Sequence, residues 1–165
     1  MNWTSVITLL ISFGTLIVVI VEVVINLNQR KIDRRIDVTI EERRRMQKEL
    51  FENVNGILEI DREVRYKKLL KEEDVLFHEV LNYKIGVWIN LNRENIFSED
   101  LRSHCNRLAT WIASCLEELS DDNKVDQYLE IANTSTQHIW ILIDKYIEEE
   151  ERLIQTIVAG KKEKR

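Results

Sequence analysis

The sequence predicts an all-α protein: a single N-terminal transmembrane helix continuing into an antiparallel helical bundle. Three observations carry this. The 165 residues contain no proline and only four glycines, so almost nothing interrupts a helix. No segment alternates apolar and polar residues for the length a sheet strand needs. Val6 to Ile25 is a run of about 20 residues with one charge, Glu22, enough to cross a hydrocarbon core of roughly 30 Å.

The span comes first. A cleaved signal peptide fits it poorly: no basic residue precedes Val6, and no small-x-small site follows. Trp3 suits an interfacial anchor at the outer edge. Arg30, Lys31, Arg34 and Arg35 follow the span, then Arg43, Arg44, Arg45 and Lys48. The positive-inside rule therefore expects the N-terminus outside and the rest in the cytoplasm of a bacterial inner membrane. The first four basic residues are the expected lipid contacts, since anionic head groups attract each by about 1 kcal/mol.

The remaining elements follow in order. Residues 1–29 read as the transmembrane helix, 30–60 as a basic juxtamembrane helix in unbroken continuation, and 61–165 as the bundle. The juxtamembrane helix is charged, with sparse apolar positions at Ile32, Ile36, Ile40, Leu50, Val54 and Ile57, and Gly56 is its expected weak point. A second helix is expected over 61–91, capped by Asp61, with a wide stripe that includes Leu69, Leu70, Leu76, Phe77, Val80, Leu81, Ile85 and Trp88. The turn formers of "NLNREN" end it. Ser98, followed by Glu99 and Asp100, reads as the N-cap of a third helix. Its seam is Leu101, Cys105, Leu108, Ile112, Cys115 and Leu119, in alternating steps of four and three. "SDDNK" is the next turn. A fourth helix is expected over 125–159, stopping at Gly160, with a kink or break at "NTSTQH". The runs "EERRR" and "EEEERL" read as solvated helix faces.

Composition narrows the function. The formal net charge is -5, but residues 1–48 hold eight basic against five acidic side chains, leaving a surplus of about eight negative charges in the remainder. That argues against broad nonspecific nucleic-acid binding by the bundle. The two cysteines, ten residues apart, suit neither a cytoplasmic disulfide nor zinc; their places on the third helix's seam make them small core residues. No cofactor, metal or small-molecule substrate is indicated.

The span itself carries the strongest functional signal. Of its polar residues, Ser5, Thr8, Ser12, Thr15, Glu22, Asn26 and Gln29 are separated by steps of three, four, three, seven, four and three. That is a heptad seam. Small hydroxyl residues at this spacing let helices approach and hydrogen-bond, and a carboxylate in hydrocarbon needs a partner, a proton or water. Three readings follow: a tight oligomer glued by the seam, a larger ring whose seam lines a pore with Glu22 as an acidic ring, or a Glu22 that snorkels to the inner interface.

Two elements bear on catalysis. His104 beside Cys105 diverges from it by about 100° on a helix, so the two cannot share a simple site. "NTSTQH" places His138 near Asn133. HEPN ribonuclease domains are helical bundles with an Arg, four to six residues and then a His on one helix, and the spacing of four is present here. Here Asn133 stands where Arg is expected, removing the cation that would stabilise charge at phosphorus, so the chain reads as a non-enzyme with a degenerate HEPN-like element. A membrane-tethered RNase using His138, and a non-catalytic anchor or adaptor, are the alternatives.

The layout of one N-terminal span, a basic juxtamembrane stretch and a helical bundle with the "NTSTQH" element resembles the single-pass accessory membrane proteins encoded beside type VI-B CRISPR RNA-targeting effectors. The resemblance implies a ring-shaped homo-oligomeric pore that depolarises the inner membrane when the RNA-guided nuclease is activated, in antiviral defence. Its implied partners are further copies of itself, the lipid bilayer, and an RNA-guided effector or RNA. The stretch from Phe77 to Trp111 also resembles other membrane-anchored helical proteins of bacteria, a likeness that implies no function.

Overall fold

A computed structural model describes residues 3–66, 69–117 and 122–163, with side chains from Phe13 onward except at 122–127 and 161–163. Four helices account for it: α1 (Trp3–Arg65), α2 (Glu73–Asn90), α3 (Ser98–Glu117) and α4 (Asp122–Glu163). Each packs on the next, and both α3 and α4 return to α1. Among the described residues α2 and α4 do not meet. They therefore occupy opposite corners of the bundle, with α1 and α3 as its inner diagonal.

α1 has 63 residues without a break, about 95 Å of helix. Its N-terminal part is long and apolar enough to cross a membrane, and no part of that apolar window is buried in the protein. Its C-terminal third forms a wall of the core through Leu50, Val54, Ile57, Ile60 and Val64. α3 contributes Leu101, Cys105, Leu108, Ile112 and Cys115, all buried as the seam predicts, and Ala109, Ala113 and Leu116 widen the stripe. Leu119, Ser120 and Asp121 lie outside the described residues, and α4 starts at Asp122, within the expected turn "SDDNK".

Several expectations are corrected. No helix begins at Asp61: α1 runs to Arg65 and α2 starts at Glu73. Asp61 is buried inside α1, where side chains from α4 take up its carboxylate. Gly56 is no weak point but a close approach, since a Cβ there would run into the Tyr83 ring of α2. Ser98 does not cap α3: its hydroxyl donates back to the Asn92 carbonyl, while the Phe97 amide donates to the Asn95 side chain. α4 is unbroken at "NTSTQH": Ala132, Ser135 and Ile139 there are buried in the bundle, and Thr134 only turns its hydroxyl back to the Glu130 carbonyl. α4 also runs through Gly160 to Glu163. Leu70, Ile85 and Trp88 stand on the outside, since α2 turns only one side to α1 and α3.

The charge runs are not simply solvated faces. Arg43 of "EERRR" is mostly covered, and Glu149 and Glu150 of "EEEERL" are buried. Arg43 precedes Leu50 by one heptad, and Glu150 follows Ile139, Ile143 and Tyr146 in steps of four, three and four. Both are charges on core stripes, and each has partners inside.

Candidate functional site

α1 joins the span to the bundle through a single heptad series. The seam residues Glu22, Asn26 and Gln29 continue in alternating steps of four and three through Asp33, Ile36, Ile40, Arg43, Gln47, Leu50, Val54, Ile57, Asp61 and Val64. Burial follows the series: exposed at Glu22 and Asn26, half-buried from Gln29 to Gln47, buried from Leu50 on. The antiparallel run of α4 beyond Glu150 accompanies the half-buried stretch, with Ile154 buried and Leu153, Ile157 and Gly160 half-buried. A 3.6-residue helix drifts about 20° per heptad from such a series, so the direction turns by about 60° from Glu22 to Arg43 and by about 80–120° from Glu22 to the buried wall Leu50–Val64. The bundle thus hangs about a quarter turn round α1 from the seam.

Thr15 is exposed like Glu22 and Asn26. Every described residue from Phe13 to Asn28 is exposed, so nothing else in the described chain covers Glu22. The side chains of Ser5, Thr8 and Ser12 lie outside the described residues. Arg30, Lys31, Arg34 and Arg35 are all exposed just beyond the span.

Two polar knots fasten α1 to α4. At the end nearer the apolar part of α1, Arg43 pairs with Glu94 and approaches Glu150 at 3.7 Å. Glu150 is only 2% exposed. It accepts from the side-chain amides of Asn92 and Asn95 at 2.7 and 3.0 Å. Asn95 also donates to the Tyr146 carbonyl, and the Asn92 amide donates to the Tyr146 hydroxyl, both at 2.9 Å. Burial pushes the Tyr146 phenol up to about 12. "NLNREN" is therefore more than a turn: its asparagines supply the donors that a buried carboxylate requires.

At the distal end, Asp61 accepts from the Tyr128 hydroxyl, from Arg65 Nε at 2.8 Å and from the Thr136 hydroxyl at 3.3 Å. Arg65 uses its other nitrogens on Asn133 and, at 3.0 Å, on Thr136. Burial, then the Asp61 charge, raises the Tyr128 phenol. Beside this knot lies an open cleft of about 540 Å³, lined in part by Asn55, Leu58, Arg62, Tyr66 and Trp140.

Asn133 and His138 do not converge. Five residues apart, they lie about 140° apart around α4. Asn133 faces α1, where Arg65 brings a cation that the linear motif lacks. His138 faces α3: its ring stacks on His104 with centroids 4.8 Å apart, and its Nδ1 lies 2.7 Å from the Thr134 carbonyl. Nδ1 of His104 is buried without a hydrogen-bond partner. Burial, then His138 and Arg107, holds the His104 pKa below its ordinary value.

Burial pushes the Cys105 thiol up to about 12, which leaves it a core residue with little thiolate at neutral pH. Among the described residues no group of three His, Cys, Asp or Glu side chains is placed to hold a metal ion. Comparison with protein-family models, with curated proteins and with solved structures finds no match to this chain.

Proposed function

We propose that the chain is a single-pass membrane effector that assembles through its span into a ring, with the polar seam facing a water-filled path across the bilayer. The observation that carries this is the uncovered Glu22. It is exposed on the stretch of α1 from Phe13 to Asn28, which no other described part of the chain covers. A carboxylate inside the bilayer costs several kcal/mol unless something outside the chain meets it. A lumen supplies water, and neighbouring copies supply walls.

Because α1 is unbroken, a change in how the bundles sit would be carried directly into the spans. The antiviral setting, depolarisation triggered by an RNA-guided nuclease, is proposed on the resemblance of the layout alone.

The test is conductance of the full-length protein in planar bilayers. Cation-selective current that loses its selectivity in Glu22→Gln is the expected result. Absence of current at any protein density refutes the pore, and unchanged selectivity in the variant removes Glu22 from the lumen.

A further inference from the structure

Charge is unevenly placed along this chain. Residues 49–160 hold 12 basic against 23 acidic side chains. On either side of that stretch the balance reverses. Arg30, Lys31, Arg34 and Arg35 follow the apolar part of α1, and Lys161, Lys162, Lys164 and Arg165 fall within residues 161–165. The two clusters are far apart in the sequence, and the fold brings them to one level.

The register of α4 on α1 shows this. The two helices run antiparallel, with Glu150 3.7 Å from Arg43. Both rise by the same amount per residue. Thirteen residues back along α1 from that pair is Arg30, and thirteen on along α4 is Glu163, the last residue of the helix. Burial marks the same level independently. On α1 it begins at Gln29, which is half-buried, while every described residue from Phe13 to Asn28 is exposed. On α4, Ile157 and Gly160 are still half-buried. So α4 ends where Arg30 leaves the apolar stretch. Just beyond, Lys31, Arg34, Arg35, Val38 and Thr39 line an open hollow of about 530 Å³.

We infer that the end of α4 is a second membrane contact, which binds the phosphate-bearing head groups of anionic lipids beside Arg30, Lys31, Arg34 and Arg35. The inference rests on the reading of α1 as a membrane span and adds to it a contact from the other end of the fold. Two basic clusters at one level repel each other in water, and Asp33, Asp37 and Glu163 offset only three of the eight charges. An anionic leaflet at that level attracts both. A helix dipole favours cations in its last turn, which accounts for Lys161 and Lys162 but not for the match in level with α1. The hollow at Lys31, Arg34 and Arg35 brings three cations round one open space, where a lipid phosphate can sit. The acidic remainder of the chain is repelled by the same leaflet and held away from it. A span fixes these clusters at the lipid surface, which favours head groups over a polyanion in solution.

The experiment is fluorescence quenching on the full-length chain in nanodiscs. Cys105 and Cys115 are buried and stay silent, so a maleimide fluorophore reports only introduced cysteines. Gly160→Cys carries the probe near the end of α4, where an added Cβ meets nothing. Glu130→Cys, exposed toward the other end of α4, is the negative reference, and Val19→Cys in the apolar stretch of α1 is the reference for the span. Nitroxides on lipid head groups are expected to quench the Gly160→Cys probe roughly twofold or more in discs containing phosphatidylglycerol, and little in discs of phosphatidylcholine alone. High salt is expected to abolish the difference. So is replacement of the basic end (Lys161→Gln, Lys162→Gln, Lys164→Gln and Arg165→Gln together), with the melting temperature unchanged. Quenching that is equal in both discs and unmoved by that replacement overturns the recognition of anionic lipid. Quenching of the Val19→Cys probe by acyl-chain nitroxides, with none at Gly160→Cys from head groups, overturns the second contact and leaves the span standing. None at either position overturns both. A Gly160→Cys probe indifferent to lipid but shifted by single-stranded RNA assigns the basic end to a nucleic acid and overturns the inference.

Discussion

Arg43, Asp61 and Glu150 occupy positions that the helical stripes reserve for the core, and each is met by polar partners there. Removing one member of such a set leaves the others buried and unpaired, which costs more than the set contributes as a whole. Asp61→Ala strands Arg65 and the Tyr128 hydroxyl, and is expected to destabilise the bundle by about 3 kcal/mol. Thermal unfolding followed by circular dichroism in detergent should place its midpoint several degrees below the parent, with Asp61→Asn intermediate. The histidine pair makes a pH prediction. The folded-state pKa of His104 lies below its ordinary 6.5, so the unfolded chain takes up its proton first. The neutral His104 ring contributes fully above about pH 6.5, and stability falls as the pH drops through that value toward its folded pKa. Asp100 opposes the shift, and His138 and Arg107 support it. Melting temperatures between about pH 7.5 and 5.5 should fall for the parent and fall less for His104→Gln. These sites were partly legible in the sequence. The buried charges break an apolar series at regular steps, a signal visible without a structure but masked by the charge-rich runs "EERRR" and "EEEERL". The partners were not legible, because Asn92, Asn95, Tyr128 and Thr136 come from elements far away in the chain. Asn133 and His138 were legible as neighbours in sequence and separate on the helix, since five residues turn them onto different sides.

α1 is the element on which the account depends. Its continuity through "NQRKIDRRIDVTIEERRR" was legible from the absence of proline and glycine there, and α3 from its unslipped seam. The α1–α2 junction was misplaced because Asp61 suits a helix start as well as it suits a buried ion pair, and local sequence does not choose between them. The length of α4 was underestimated for a similar reason: Gly160 is a stop signal only where no partner holds the helix, and the half-buried run beyond Glu150 lies along α1. The heptad series linking Glu22 to Val64 was present in the sequence throughout. It was hidden because its residues change from polar to charged to apolar while the spacing stays the same. If α1 transmits bundle position to the span, a break between them should abolish activity without unfolding either part. Lys31→Pro removes a backbone donor and kinks the helix at a cost of about 3 kcal/mol, borne locally. The expected outcome is a bundle that keeps the parent melting profile beside conductance reduced at least tenfold. Conductance equal to the parent would show that the span works independently of the bundle.

At the scale of the whole molecule the chain is one long helix that carries a polar seam toward one end and a bundle at the other. The all-helical fold and a helix long and apolar enough to cross a membrane were legible from composition and hydropathy; the side on which the bundle hangs was not, because it follows from helix packing. The central claim rests on the uncovered Glu22, which a lumen would hydrate. The most direct measurement is the mass of the full-length protein in nanodiscs by native mass spectrometry. The account predicts a single closed species of about six or more chains, a ring wide enough to hold the seams around water. A monomer or dimer would contradict it, return Glu22 to the membrane interface, and leave the bundle as a tethered docking surface.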